Sequence, residues 1–257
     1  MVDQTTDALQ AALRLHRAGR SAEAKLGYES IVAADAGNAE AWHLLGVLAY
    51  QAGEHEHAVT HIDRAIGLAG EDARYFQNRG NALMALRRLD AAARDFERVQ
   101  TMSPDDPDGP YGVGLCCLQQ GDANAAVAAF EAALKLDPNF SEAELNLGLI
   151  LERQGDDDRA SRHLSRALGT LGDHLAGWLA LARLLVRAAP PKSGELAAAV
   201  GHLGGLARGD AEKLLEAAVL ARNGEVLPAA LELLDAALAA MPDMAAAHFE
   251  RGNVLYL

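Results

Sequence analysis

Aromatic residues make up only 5% of this 257-residue chain, and proline occurs eight times. Alanine and leucine dominate instead, which favours helix. The few prolines mostly fall between periodic segments, where they punctuate helices without breaking them. The two cysteines, Cys116 and Cys117, are adjacent. Disulfide geometry strains the peptide between neighbours, so no disulfide framework is available and a reducing compartment fits. Positive charge is also short, with 23 Lys and Arg against 36 Asp and Glu, a net charge of −13. Such a chain repels phosphate backbones and anionic bilayers, so neither nucleic acid nor a membrane is an expected partner. Long hydrophobic runs are absent: "LAGWLALARLLV" is short and contains Arg183, and it does not span a bilayer. The start, "MVDQTTDALQAALRLHRAGR", lacks the apolar core and cleavage site of a secretory signal. A cytoplasmic protein is the expectation.

Apolar residues are plentiful, at 50%, and permit a sizeable core. The length suits one large domain, two ordinary ones or an elongated array. The stretch "AWHLLGVLAYQAG" decides among them, because it recurs in register at steps of 34 residues. Frames open at Thr5, Ala39, Ala73, Pro107, Ser141 and Leu175. The eighth position is small throughout (Ala12, Gly46, Gly80, Gly114, Gly148, Ala182). The fifteenth reads Gly19, Gly53, Arg87, Gly121 and Gly155, and the twentieth is always alanine (Ala24, Ala58, Ala92, Ala126, Ala160). The twenty-fourth is large (Tyr28, Ile62, Phe96, Phe130, Leu164). Positions 4, 7, 8 and 11 share one face of a first helix, and 20, 24 and 27 share the facing stripe of a second. Glycine at 15 ends the first helix in the left-handed conformation. Proline at 32 (Pro104, Pro138, Pro242) stops the second. Ser141 and Glu144 make an S-x-x-E capping box.

This grammar resembles the tetratricopeptide repeat, carried by W-x2-L-G, Gly at 15, Ala at 20 and Pro at 32. The resemblance implies an all-α, right-handed superhelical solenoid of antiparallel helix pairs, with the first helices lining the concave face. A single array over 1–257 follows, with repeats at 5–38, 39–72, 73–106, 107–140, 141–174, 175–210, 211–244 and a lone first helix at 245–257. The sixth repeat is expected to be distorted: Pro190 and Pro191 end its first helix, Gly201, Gly204 and Gly205 weaken its second, and the register slips by two residues. The last helix, "NVLYL" at its end, is not the polar cap a solenoid needs. The expectation there is a longer natural polypeptide, docking on a partner, or homo-oligomerisation through this helix.

No catalytic constellation emerges. The glycines lie inside helices, away from the exposed helix starts that hold phosphate, and no nucleophile elbow is present. Cys116 and Cys117 read as packing thiols. His57 and His61, four residues apart, are a weak zinc candidate whose third ligand would have to come from His55 or Glu54. Asp156 to Asp158 read as helix-start carboxylates. No cofactor and no metal are expected.

The resemblance places partner contacts at first-helix positions 2, 5, 9, 12 and 13. Here these give His43, Val47, Tyr50, Gln77, Asn81, Met84, Tyr111, Leu115, Leu118 and Leu149, joined by Leu9, Leu13, Leu145, Leu179, Val186, Leu215 and Val219. An apolar strip of this kind marks an interaction site and suits a peptide or protein segment, such as an amphipathic helix. Arg153, Arg183, Arg187 and Arg222 fall on the same face and form a basic patch suited to a carboxylate-bearing partner. The Lys and Asn pattern of chaperone-tail clamps and the asparagine ladder of the O-GlcNAc transferase array are both broken. The function implied is a non-catalytic scaffold. The alternative is a substrate-recruiting array of the kind that precedes glycosyltransferase, sulfotransferase or methyltransferase domains in bacterial proteins.

Overall fold

A computed structural model describes residues 2–188 and 192–257, with side chains from residue 6 onward. Pro190 and Pro191, expected to end a helix, lie outside the described residues. All regular structure among the described residues is α-helical. The chain divides into two compact units, residues 1–138 and 139–257.

The first unit holds α1 (Val2–Arg17), α2 (Ser21–Ala34), α3 (Ala39–Gln51), α4 (His55–Ala69), α5 (Ala73–Ala85), α6 (Leu89–Met102), α7 (Asp108–Gln120) and α8 (Ala123–Leu136). The second holds α9 (Ser141–Gln154), α10 (Asp157–Leu171), α11 (Leu175–Arg187), α12 (Ser193–Leu206), α13 (Ala211–Asn223), α14 (Leu227–Ala240) and α15 (Ala245–Leu255). Short turns join the paired helices, so each pair is an antiparallel hairpin.

The turns after α1, α3, α5, α7, α9 and α13 share one geometry. Gly19, Gly53, Gly121 and Gly155 take φ of 73° to 85°. Arg87 and Glu225 occupy the same place in their hairpins and adopt φ of 60° and 62°, where a Cβ is strained. The bonding is the same too: Arg88 N–H reaches Leu83 O at 2.9 Å, as Glu54 N–H reaches Ala49 O at 2.8 Å. Helix starts are capped by Asn38, Asp72, Asp122, Asp156 and Asp210, each accepting a backbone N–H two or three residues on. This satisfies donors that the helix leaves orphaned. The expected capping box at Ser141 does not form. Ser141 Oγ donates to Asn139 O, and Glu144 is buried, facing Arg166 and His163.

Inside four of the hairpins a small residue meets a large one. A Cβ on Gly46 would stand 2.5 Å from Ile62 Cγ1, on Gly80 3.0 Å from Phe96 Cζ, on Gly114 2.6 Å from Phe130 Cε1, and on Gly148 2.7 Å from Leu164 Cγ. The alanines at 24, 58, 92, 126 and 160 are fully buried beside them. Glycine lets the helices approach, and the large residue fills the space, stabilising each hairpin by about 1.5–3 kcal/mol through burial. α12 carries the glycines expected to weaken it. It is an unbroken helix despite its glycines, because Leu196, Ala199, Val200 and Leu203 form a continuous buried stripe.

Candidate interaction surface

In the first unit, the central positions of α1, α3, α5 and α7 form a strip without a single Asp, Glu, Lys or Arg: Leu9, Leu13 and His16, then His43, Val47 and Tyr50, then Gln77, Asn81 and Met84, then Tyr111, Leu115 and Leu118. Tyr50 is 37% exposed and the other predicted contacts are half-buried, with one exception. His43 is only 4% exposed. Its ring packs on Tyr75, centroids 4.6 Å apart, and its Nε2 accepts the Asn78 Nδ2–H at 2.8 Å. Burial holds its pKa below the usual histidine value, with Glu40 opposing. His43 is therefore a joint between α3 and α5 and not a groove contact. Gln77 is half committed as well, donating to Asp108 Oδ2 at 2.6 Å, and Met84 packs on the Leu83 and Phe96 cluster.

The second unit continues the pattern with more charge. Leu149, Val186, Leu215 and Val219 are half-buried, whereas Leu145 and Leu179 are buried and leave the strip. The expected basic patch is neutralised from within. Arg183 Nε donates to Glu152 at 3.1 Å and its Nη1 to Glu216 at 3.3 Å. Arg187 makes two 2.9 Å bonds to Asp157, which hold that carboxyl below its usual range. Arg222 pairs with Glu250 at 2.7 Å. Arg153 is exposed. A shallow cavity of about 540 Å³ opens here, with Leu215, Val219, Leu220 and Met244 as its apolar lining and Arg183, Glu212 and Glu216 beside them.

The remaining candidates have partners of their own. His61 stacks on Trp42 at 5.5 Å, and His57 faces Glu54 at 3.3 Å. No group of three or more His, Cys, Asp or Glu able to hold a metal ion occurs among the described residues. The zinc candidate therefore gains no third ligand. Cys116 is fully buried, and desolvation pushes its thiol up to about 11. No helix among the described residues is long and apolar enough to cross a membrane.

Two polar clusters escaped the sequence reading. Arg79 forks onto buried Asp95 with bonds of 2.8 and 2.7 Å and reaches Asp63 at 2.6 Å. Glu144 pairs with Arg166 at 2.8 Å and with His163. The signal was a charge in an apolar place: Arg79 stands where Leu45 and Leu147 stand in other repeats, and Glu144 where Trp42 and Trp178 do.

Two tetratricopeptide-repeat models match the chain, one over residues 9–73 and 78–139, the other over 117–185. The chain belongs to the tetratricopeptide-repeat family. Such proteins generally bind protein or peptide partners, and their fold is typically non-catalytic. No curated protein matches the chain. Solved structures do. The C-terminal part of a TPR repeat-containing protein from Cytophaga hutchinsonii is 16% identical, with 94% of this chain and 98% of that one covered and a TM-score of 0.73. Pseudomonas aeruginosa pilF is 18% identical, with 99% and 98% covered and a TM-score of 0.67. MamA from Desulfovibrio magneticus RS-1 is 21% identical, with 65% and 94% covered and a TM-score of 0.60. At these identities the likeness is one of fold.

Proposed function

We propose that this tetratricopeptide-repeat protein is a non-catalytic scaffold that holds a peptide or protein segment along the strip presented by its first helices. The observation that carries this reading is the uncharged centre of the strip in the first unit. In a chain with 23% charged residues, a row of half-exposed apolar and amide side chains with no formal charge suits an uncharged or apolar segment of a partner. The amide of Asn81 supplies a polar anchor. In the second unit, the Leu215, Val219 and Met244 cavity is an apolar surface of the same kind, and the paired Arg183, Arg187 and Arg222 leave little free positive charge for a carboxylate.

A photo-crosslinking amino acid placed at Tyr50 or Leu118 tests the reading, with Arg94 on an exposed second-helix face as control. Covalent capture of a partner peptide from Tyr50 and Leu118, and not from Arg94, is expected. With the crosslinker at Leu118, replacing Tyr50 and Asn81 by Asp should abolish that capture while helical circular dichroism is unchanged. Capture that persists in the folded double variant, or that is equal from Arg94, overturns the groove reading.

A further inference from the structure

The cavity of about 540 Å³ in the second unit lies on α13, between Arg183 of α11 and Met244 at the head of α15. A neighbouring helix stands on either side of it, so its opening belongs to the strip itself. Leu215, Val219, Leu220 and Met244 line it and are all half-buried. The repeat position of Leu215 is held in α9 and α11 by Leu145 and Leu179, and both of those are buried. On α13 the same position is left open. The volume falls within the range of about 300–1,000 Å³ typical of ligand pockets, and the apolar lining suits a large apolar side chain.

One charge at this cavity has no partner. Arg183 is shared by Glu152 and Glu216. Glu216 also accepts from Lys213 at 3.1 Å, and Arg222 pairs with Glu250. Glu212 lines the cavity and is exposed, with no ion pair or side-chain hydrogen bond among the described residues. A carboxylate in the first turn of a helix is favoured by the dipole, but the capping task there is already met: Asp210 accepts the Lys213 N–H at 3.1 Å. In a chain of net charge −13, the surrounding field also favours a cation.

We propose that this cavity takes a large apolar side chain of an extended segment, with a lysine or arginine two residues away placed on Glu212. Spacing supports that occupant. Glu212, Leu215 and Val219 share one face of α13, and at 1.5 Å per residue Glu212 stands roughly 4–10 Å along the helix from the two apolar residues. Side chains two apart in an extended segment point the same way and lie about 6.5–7 Å from each other, which matches. The inference rests on the scaffold reading and adds to it the chemistry of the partner at the second unit.

Two synthetic peptides test this by NMR on the 257-residue chain with isotope-labelled methionine methyls. One is acetyl-Gly-Lys-Ser-Leu-Ser-Lys-Gly-amide, which offers the cation on either side of the leucine. In the other, both lysines are glutamine. Met244 reports the cavity, and Met84 reports the strip of the first unit. The Met244 methyl should shift with both peptides, and the lysine peptide should bind about two- to fivefold more tightly at low salt. That preference should vanish in Glu212→Gln and fade at about 1 M salt. Exchanging the leucine for serine should weaken binding about tenfold or more. A silent Met244, equal affinity of the two peptides, or a lysine preference that survives in folded Glu212→Gln overturns the inference. Shifts at Met84 alone overturn it and leave the scaffold reading standing, which capture from Tyr50 and Leu118 tests separately.

Discussion

Replacing Gly114 by alanine isolates the contact on which each hairpin depends. Gly114 sits inside α7, where alanine would ordinarily be favoured by about 1 kcal/mol. The added Cβ would lie 2.6 Å from Cε1 and 2.8 Å from Cδ1 of Phe130, a fully buried ring. Neither contact is tolerable without movement of the ring or of α8. Overpacking of this kind costs about 1–3 kcal/mol, so the net expectation is a loss of up to about 2 kcal/mol in place of the usual gain. Gly201 is the control. It lies inside α12, is exposed, and a Cβ there meets nothing within 4 Å. Gly201→Ala should stabilise by about 0.5–1 kcal/mol. Urea unfolding followed by circular dichroism reads both, as shifts in midpoint with the slope unchanged. Phe130→Leu removes the ring atoms that clash, so the cost of Gly114→Ala should shrink in that background, as a double-mutant cycle would show. Equal effects of Gly114→Ala and Gly201→Ala, or no coupling to residue 130, would refute the small-against-large account of the hairpin.

Two further outcomes follow from the backbone and from His43. Arg87→Gly and Glu225→Gly relieve non-glycine residues at φ of 60° and 62°, and each should stabilise by about 0.5–1 kcal/mol once glycine's own entropy is set against the strain. Arg87 also donates to Gln119 at 3.0 Å, so its gain should be the smaller; thermal melts of the single and double variants test sign and additivity. His43 has a folded pKa lowered by burial, so the folded state binds fewer protons than the unfolded one. Its contribution is present above the unfolded value of about 6.5 and is lost as pH falls below that, toward the folded pKa. Urea midpoints should therefore decline on acidification below neutrality, and His43→Gln should flatten that decline; an unchanged slope in the variant would show that another group carries it.

The repeat grammar was legible because each of its positions answers to one steric demand. Gly46, Gly80, Gly114 and Gly148 must be small because a large side chain sits on each. That demand repeats every 34 residues whatever the surface does. The surface was less legible because a first helix touches two neighbours at once. Position 5 lies at their boundary, and the side chain decides the outcome: His43 found Tyr75 and Asn78 and was buried, while Tyr111 at the same position remains half-exposed.

The partners of the arginines expected to form a basic patch were illegible for a related reason. Local spacing shows which face a charge occupies, but not what waits on the next repeat. The structure supplies the missing rule. Arg74 reaches Glu40, Arg88 reaches Glu56, and Arg183 reaches Glu152 and Glu216, at separations of 31 to 34 residues. Opposite charges one repeat length apart fall on corresponding places of adjacent hairpins, so their partners can be read from the period that reveals the fold. By that rule a cation on the strip is free for a ligand only when no acid stands about one repeat away. Arg183, Arg187 and Arg222 are each answered by an acid from another helix. Besides the exposed Arg153, what remains for a partner is the uncharged surface between them, which is why shape and apolar contact, more than charge, carry the proposed recognition.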